Sequence, residues 1–135
     1  MSYQVSDDRS RLDRDWIWLM LSTQAYWGQW RAREQIEAQL DGAWRTIGVY
    51  DQSGAQVGYA RAVSDGIADA YLADVIVDPN HRGQGIGTLI VEAMIEAGPG
   101  SRFRWTLFTR DAHGLYRRFG FAEPDASAMV RPARR

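Results

Sequence analysis

Apolar and polar positions recur along the chain with two different periods, which divide it into short elements. The first apolar residues recur at near-helical spacing and predict a helix that Asp7 or Asp8 can cap; its apolar face comprises Leu12, Trp16, Leu19, Met20 and Thr23. Residues 32–40 predict a second helix, with Gly42 at its end. The pattern therefore predicts two helices before any strand.

Strand-like patterns follow these helices. Residues 45–50 and 56–63 predict a hairpin around the turn 51–54, and residues 70–77 predict a third strand that Pro79 ends. Residues 85–97 predict a helix, and residues 102–109 predict another strand. A short helix capped by Asp111 and running through Phe119, with Gly120 in the left-handed position, and a last strand at 128–130 complete the prediction.

This order of elements predicts an α/β (α+β) fold in which helices pack on a mixed sheet. The 135 residues, of which 45% are hydrophobic, fit a single domain spanning residues 1–135. The longest strongly apolar stretch, residues 16–21, is far too short for a membrane span, and the N-terminus lacks the layout of a signal peptide. We therefore expect a cytoplasmic protein that does not act at a membrane.

Composition restricts the chemistry. The sequence has no cysteine and two histidines, which excludes a disulfide framework, a thiolate nucleophile and a histidine-rich metal centre, so no metal is expected. The net charge of -1 argues against general nucleic-acid binding, because phosphate contacts usually show as a positive excess. Catalysis must come from other groups.

A glycine-rich turn separates the third predicted strand from the next helix. In the run Arg82-Gly83-Gln84-Gly85-Ile86-Gly87, three alternate glycines free the backbone from Cβ atoms, so successive N–H groups can converge on a phosphate. The helix N-terminus and the guanidinium of Arg82 add positive charge. The turn therefore suits a diphosphate.

Other glycine-rich nucleotide motifs fit this turn poorly. A P-loop requires a lysine, and the sequence contains none. The dinucleotide fingerprint requires glycine where Thr88 stands. A flexible surface turn without a ligand is the alternative interpretation, which the flanking strand, proline and helix disfavour.

Two motifs resemble those of the GNAT superfamily of N-acyltransferases. Residues 75–89, from Val-Ile-Val-Asp-Pro through the glycine turn to Thr-Leu, are similar to its strand, Arg/Gln-x-x-Gly-x-Gly/Ala and helix signature. Residues 115–121, Leu-Tyr-Arg-Arg-Phe-Gly-Phe, are similar to its second motif. Residues 70–75 and 108–116 further resemble a small bacterial subgroup of largely unassigned substrate. The resemblance implies a GNAT fold, with a mixed, mostly antiparallel central sheet, splayed strands at the coenzyme A (CoA) site and helices on both faces.

The resemblance also implies acetyl-CoA as cosubstrate. Backbone N–H groups of the turn would hold its pyrophosphate; these belong to Arg82, Gly83, Gln84, Gly85, Ile86, Gly87 and Thr88. The backbone of Val75, Ile76 and Val77 would pair with the pantetheine arm beside a bulge, and an N–H near Ile76 would polarise the thioester carbonyl. Thr109 stands where many members have an asparagine that contacts pantetheine, and its hydroxyl could replace that contact.

Thioester aminolysis needs a neutral amine and protonation of the departing thiolate. Tyr116 matches the family's usual general acid, with packing of a half-buried tyrosine as the alternative. Asp74 is our candidate base, because a buried carboxylate in an apolar strand could have a raised pKa. The equally weighted alternative is that Asp74 orients the substrate or bonds a neighbouring backbone group. Tyr71 and His113 are lesser candidates for the base.

The acceptor is expected to be a primary amine of a small molecule or of a protein. In the family, the first helices and the strand ends build its site, and aromatic groups with carboxylates could hold a cationic amine. The candidates here are Trp16, Trp18, Tyr26, Trp27, Trp30, Asp65, Asp69 and Asp74. Trp16 also fits the core, whereas Trp27 and Trp30 fit a pocket wall or a contact in a homodimer.

We therefore expect an N-acetyltransferase that moves the acetyl group of acetyl-CoA to an amine by direct attack in a ternary complex. A non-catalytic module that binds or senses acyl-CoA is the alternative. Acetylation of charged tRNA by a toxin is disfavoured, because the sequence offers no basic face for a nucleic acid.

Overall fold

The structure, a computed structural model, describes residues 2–27 and 29–134. Its five strands form one sheet in chain order and are β1 (Gln4–Ser6), β2 (Arg45–Tyr50), β3 (Gln56–Ser64), β4 (Asp69–Val77) and β5 (Arg104–Thr106). The α-helices are α1 (Arg14–Thr23), α2 (Arg33–Gly42), α3 (Ile86–Val91) and α4 (His113–Arg117), and α3 continues as a π-helix over Glu92–Glu96. Strands β1 to β4 pair antiparallel and β4 pairs parallel with β5, which confirms the predicted α+β class and the mostly antiparallel mixed sheet.

The first helix differs from its prediction in both start and face. Asp8 caps only a 3₁₀ turn, whereas the Asp13 carboxylate accepts the Trp16 N–H at 3.0 Å and begins α1. The buried residues of α1 are Ile17, Met20 and Leu21. Leu19, placed on the inner face by the pattern, is 53% exposed. The predicted face was wrong in part: Met20 is buried and Trp16 packs against the core as predicted, but Leu12 lies before the helix and Leu19 faces solvent.

The C-terminal third also differs in part. The strand predicted over residues 102–109 is confined to β5, and the described residues 122–134 contain no strand, so the predicted last strand is wrong. The N–H of Ala112 donates to the Thr109 hydroxyl at 3.1 Å, and Asp111 does not cap α4. Gly120 has a φ of 88° after α4, which confirms the predicted left-handed position.

Two hydrophobic cores lie on opposite faces of the sheet. One core packs α3 and its π-helical extension against the strands, and includes Val49, Ala60, Leu72, Ile90 and Met94. The other packs α1 and α2 against the strands, and includes Ile17, Leu21, Leu40, Tyr59 and Ile76. Helices therefore cover both faces, as predicted. None of the described helices has the length and apolar character that a membrane crossing requires.

A bulge in β4 decides which side chains face each core. Tyr59 pairs with Ile76 and Arg61 pairs with Ala73, so Asp74 and Val75 together oppose the single residue between them on β3. Asp74 has a φ of 56°, the only positive φ among the described non-glycine residues. Leu72 packs toward α3 whereas Ile76, four residues later, packs toward α1 and α2. The extra residue therefore reverses the faces of the strand beside the site.

Candidate active site

A cleft opens where β4 and β5 separate. The last pair that joins the two strands is Tyr71 with Thr106. Beyond it, residues 72–75 and Val77 of β4 and residues 107–112 border a cleft of about 590 Å³. Asp74 and Tyr116 both line this cleft. The expected opening beside β4 is therefore present, and its walls are the free edge of β4 and the irregular segment that follows β5.

The glycine turn, residues 82–87, stands at one end of this opening. Gly83 and Gly85 have φ values of 78° and 80°, a left-handed conformation that other residues adopt only with strain. A Cβ atom at either position would meet no described atom within 4 Å, so the space in front of the backbone is open. Gly85 is the N-cap of α3, and the N–H of Leu89 donates the first helical bond to it at 3.1 Å. The preceding N–H groups of the first turn are therefore available to a ligand.

A groove of about 220 Å³ runs along the turn. Its walls are Val77, His81, Arg82, Gly83, Gly85, Ile86, Gly87, Thr88, Leu115 and Arg118. Gln84 is exposed and does not line it. Arg118 donates to the Thr88 hydroxyl at 3.3 Å and so adds a second guanidinium beside Arg82. Val77, Gly87 and Leu115 border both the groove and the cleft, so the two form one continuous channel.

Tyr116, on α4, lines the cleft next to Leu115, which borders both the cleft and the groove. The residue is 6% exposed, and its ring packs edge-on against Phe121. Burial, with smaller effects from Asp111 and Tyr26, raises the pKa of Tyr116 to about 12. The phenol therefore keeps its proton at neutral pH and can donate a hydrogen bond to an anion in the cleft.

Asp74 is held in a dense network on the α2 side of the sheet. Arg31 donates to both carboxylate oxygens, at 2.8 Å and 2.9 Å. Arg61 donates through Nε at 2.7 Å, and the indole of Trp27 donates at 2.9 Å. We call these four residues, Trp27, Arg31, Arg61 and Asp74, the guanidinium cluster. Their bonds fix the carboxylate on the bulge and stabilise its left-handed backbone.

The network corrects our expectation about the titration of Asp74. Burial on its own would raise the pKa of this carboxyl, but the hydrogen bonds and charges of Arg31 and Arg61 outweigh burial and hold the pKa below its ordinary value. The raised pKa predicted from the sequence was wrong because the sequence does not reveal the two guanidinium partners. An ionised, fully engaged carboxylate is a poor acceptor for the proton of an amine.

The other site residues predicted from the sequence fall into three groups. Those that line the cleft are Tyr26, Trp27, Trp30, Tyr71, Val75, Val77 and Thr109. Ile76 points into the α1 and α2 core, although its backbone lies on the same strand edge. Trp16 and Trp18 pack against that core, Asp65 accepts N–H groups of its own turn, and Asp69 pairs with Arg104. Neither these four residues nor His113 lines the cleft, so of the predicted carboxylates only Asp74 lies there, together with Asp111.

Sequence reasoning missed Arg31, Arg61 and Arg118. Arg61 carried a usable signal, because it is the one charged residue in the otherwise apolar run 57–63, just as Asp74 interrupts residues 70–77. Opposite charges on adjacent strands predict a pair when they share a face. Arg31 lies in the loop before α2, where nothing in the sequence distinguishes it from a solvated residue. The described residues contain no group of histidine and carboxylate side chains that could hold a metal ion.

Comparison with known proteins places this geometry in a family. A family model described as "Acetyltransferase (GNAT) domain" matches residues 43–123. The crystal structure of a protein from Xanthomonas campestris pv. campestris, assigned as a GNAT-family acetyltransferase, is 36% identical, with a TM-score of 0.89 over 98% of this chain and 94% of that one.

Curated relatives agree with the structural match. A Gibberella zeae protein assigned as an acetyltransferase is 30% identical over 64% of this chain. The chloroplastic serotonin N-acetyltransferase 2 of Oryza sativa subsp. japonica is 29% identical over 71% of this chain. The matches cover 47% and 51% of those two proteins, so the chain spans about half the length of the curated relatives.

Proposed function

The chain belongs to the GNAT family of acetyltransferases, and from this premise we propose that it transfers the acetyl group of acetyl-CoA to the primary amine of an acceptor by direct attack in a ternary complex. The observation that carries the proposal is the continuous channel from the glycine turn to the guanidinium cluster, with Tyr116 between them. Such a channel can hold a long cosubstrate at one end and an acceptor at the other.

The glycine turn fits the pyrophosphate of CoA. Its open, left-handed backbone offers the N–H groups of residues 82–88 without interference from side chains. Arg82 and Arg118 supply positive charge at the same groove. The unpaired edge of β4, with Val75 and Val77 on the cleft wall, can accept the pantetheine arm much as it would accept another strand.

Acetyl-CoA supplies an activated acyl group, and the protein contributes a proton donor and a hydrogen-bond donor to the reaction. The amine nitrogen forms a bond to the acetyl carbon while the carbon–sulfur bond breaks. Tyr116 donates its proton to the departing sulfur, and its raised pKa keeps that proton in place until then. An N–H of the β4 edge near Ile76 stabilises the negative charge that develops on the carbonyl oxygen. The amine loses its own proton to water in the open cleft, and a proton from that water returns Tyr116 to its neutral form.

Asp74 takes a positioning role in this mechanism. Its lowered pKa and four hydrogen bonds leave it no proton to exchange near neutrality. The carboxylate instead fixes the bulge of β4 and holds Arg31 and Arg61 beside the cleft. This role differs from both roles that the sequence suggested, a base or a group that orients the substrate or bonds a neighbouring backbone group, because the partners of Asp74 are side chains.

A broad acceptor screen tests the proposal. The purified chain is incubated with acetyl-CoA and a library of small amines and peptides, and both CoA release and the mass of each product are measured. We expect CoA release that depends on one class of amine, together with a product heavier by one acetyl group. Binding of CoA by calorimetry without acetylation of any amine would contradict the proposal and favour a module that senses acyl-CoA.

A further inference from the structure

The guanidinium cluster contains more positive charge than its own carboxylate can neutralise. The side chains of Arg31, Arg61 and Asp74 are 3%, 11% and 4% exposed. The buried guanidinium of Arg31 and the largely buried one of Arg61 therefore share one buried carboxylate. Removing a cation from water is costly unless an anion compensates for the loss. The cluster as a whole is thus prepared for one more negative charge.

Arg61 has the donors that such an anion would use. Its Nε donates to Asp74 at 2.7 Å, whereas Nη1 and Nη2 make no hydrogen bond to any described residue. Neither nitrogen is among the fully buried polar atoms without a partner, and Arg61 lines the cleft, so both nitrogens reach the open space. The fork of a guanidinium matches the two oxygens of a carboxylate or phosphate.

The position of the cluster assigns this anion to the acceptor. Arg61 lies between Ala60 and Ala62, which both pack toward α3, so its side chain leaves the opposite face of β3. Arg31, which donates to the same carboxylate, precedes α2 on that opposite face. The glycine turn begins α3 on the other face. An anion at Arg61 is therefore across the sheet from the expected pyrophosphate.

The remaining walls of the cleft suit the carbon skeleton of a small molecule. Five aromatic side chains that line it are each at least 37% exposed: Tyr26, Trp27, Trp30, Tyr71 and Phe108. Exposed aromatic groups around a concave site commonly cover the apolar part of a ligand. Arg110, which stacks on the ring of Tyr26 at 4.4 Å, adds a third guanidinium at the rim.

We propose that the acceptor is a small amine that also carries a carboxylate or a phosphate, and that Arg61 is the specificity-determining residue that binds this anionic group. The inference rests on the proposed acetyl transfer and adds the substrate class. It replaces the expectation of a purely cationic amine among carboxylates, because Asp74 is already neutralised and Asp65 and Asp69 lie outside the cleft.

Matched amines test the substrate class. Each common α-amino acid is compared with its amide, and O-phosphoethanolamine with ethanolamine, by CoA release and product mass. The anionic member of a pair should have a kcat/KM about 10- to 100-fold higher, as a charged hydrogen-bonded pair implies. The α-amine of an amino-acid amide is less basic than that of the free amino acid, so a larger fraction of it is neutral at a given pH. This difference favours acetylation of the amide and therefore works against the expected result. Acetylation of the neutral members at equal or higher rates would overturn the inference and leave the acetyl transfer intact.

Variants of Arg61 connect the preference to this side chain. Arg61→Gln should reduce the ratio between paired substrates to about one, and Arg61→Lys, which keeps a cation for Asp74, should reduce it while preserving the circular dichroism spectrum and Tm. Arg102→Gln removes an exposed arginine outside the cleft and should leave the ratio unchanged. An unchanged ratio in a folded Arg61→Lys variant would contradict the assignment.

A binding measurement covers the case in which the panel lacks the acceptor. Benzoate and inorganic phosphate are added in turn to the chain saturated with CoA, so that the glycine turn is occupied. At least one of these anions should raise the Tm of the wild type and should not raise that of Arg61→Lys, and the more effective anion identifies carboxylate or phosphate. The absence of any anion effect on the wild type would overturn the proposal.

Discussion

The two ends of the channel are built by different means. At the glycine turn the backbone forms the site, and Gly83 and Gly85 contribute by having no side chain. At the guanidinium cluster the side chains form the site, and they come from the loop before α2, from β3 and from the bulge of β4. One end depends on six consecutive residues, whereas the other depends on contacts between residues up to 47 positions apart.

Under the proposed acetyl transfer, this difference would let the chain combine the cosubstrate of its family with an acceptor of its own. A backbone cradle has little freedom to vary, because it needs left-handed residues at fixed spacing. A cluster of side chains can change charge and shape by single substitutions while the sheet persists. We therefore expect mutations at the two ends to affect different quantities.

Removal of Asp74 is expected to have the largest effect on stability. Asp74→Ala leaves the buried Arg31 and Arg61 without their counter-ion and should lower the free energy of unfolding by about 3–5 kcal/mol, measured by urea denaturation. Asp15→Ala is the matched control. It removes an ion pair with Arg33 in which the Asp15 side chain is 87% exposed, so the free energy of unfolding should change little. Equal stability of the two variants would show that the cluster does not fix the bulge.

Lowering the pH should cause part of the same loss of unfolding free energy, because it protonates Asp74. The folded-state pKa of Asp74 lies below its ordinary value, so its contribution is present above the ordinary pKa and is lost as pH falls through the lowered one. Between pH 5 and about pH 2, the wild type should therefore lose more unfolding free energy than Asp74→Ala does. A smaller acid effect in the wild type than in the variant would mean that the pKa is raised.

Tyr116 lies between the two ends and should affect turnover alone. Tyr116→Phe should lower kcat about 100-fold or more with little change in the KM for acetyl-CoA, because the lost group acts on the departing sulfur. Tyr71→Phe, on the same cleft but 37% exposed, provides the comparison in steady-state kinetics. Full activity of Tyr116→Phe, or an equal loss in Tyr71→Phe, would remove Tyr116 as the acid.

Substitutions in the glycine turn should change the affinity for acetyl-CoA and leave the other steps unchanged. Gly85→Ala places a Cβ on a backbone with a φ of 80°, which costs about 1–2 kcal/mol and should weaken acetyl-CoA binding about tenfold in calorimetry. Gly54→Ala is a close control, since its φ is 88° and its added Cβ also meets no described atom within 4 Å. It should lose similar stability and keep its affinity. A comparable loss of affinity in both variants would indicate a general effect of strain.

The smallest expected effect is on the alkaline side of the pH profile. Burial raises the pKa of Tyr116 to about 12, so the phenol keeps its proton as pH rises to about 10. The kcat/KM for an amine should rise over this range as the amine deprotonates, without a decline caused by Tyr116. A decline below pH 10 that disappears in Tyr116→Phe would contradict the raised pKa.

The sequence predicted one end of the channel much better than the other. The glycine turn, the strand before it and Tyr116 follow each other in short motifs, so local spacing was enough to bring them together. The hairpin, the α3 helix and the separation of β4 from β5 also follow from local pattern or from the family resemblance. These features need no long-range contact to be recognised.

The guanidinium cluster could not be predicted in the same way. The role of Asp74 depends on Arg31, 43 residues earlier, and on a bulge that turns its side chain toward α2. Without those contacts, burial alone suggested a raised pKa, whereas two cations reverse its direction. The start of α1 was mispredicted because the sequence pattern did not distinguish its true N-cap, Asp13, from Asp7 and Asp8. The predicted inner face of the helix was shifted as a result.

A crystal structure of the chain with CoA tests the division of the channel most directly. We expect the pyrophosphate against the N–H groups of residues 82–88, the pantetheine along the free edge of β4, and the thiol beside the hydroxyl of Tyr116. The guanidinium cluster should then remain open for an acceptor on the opposite face of the sheet. A pyrophosphate bound at Arg61, or a thiol that ends away from Tyr116, would contradict this account.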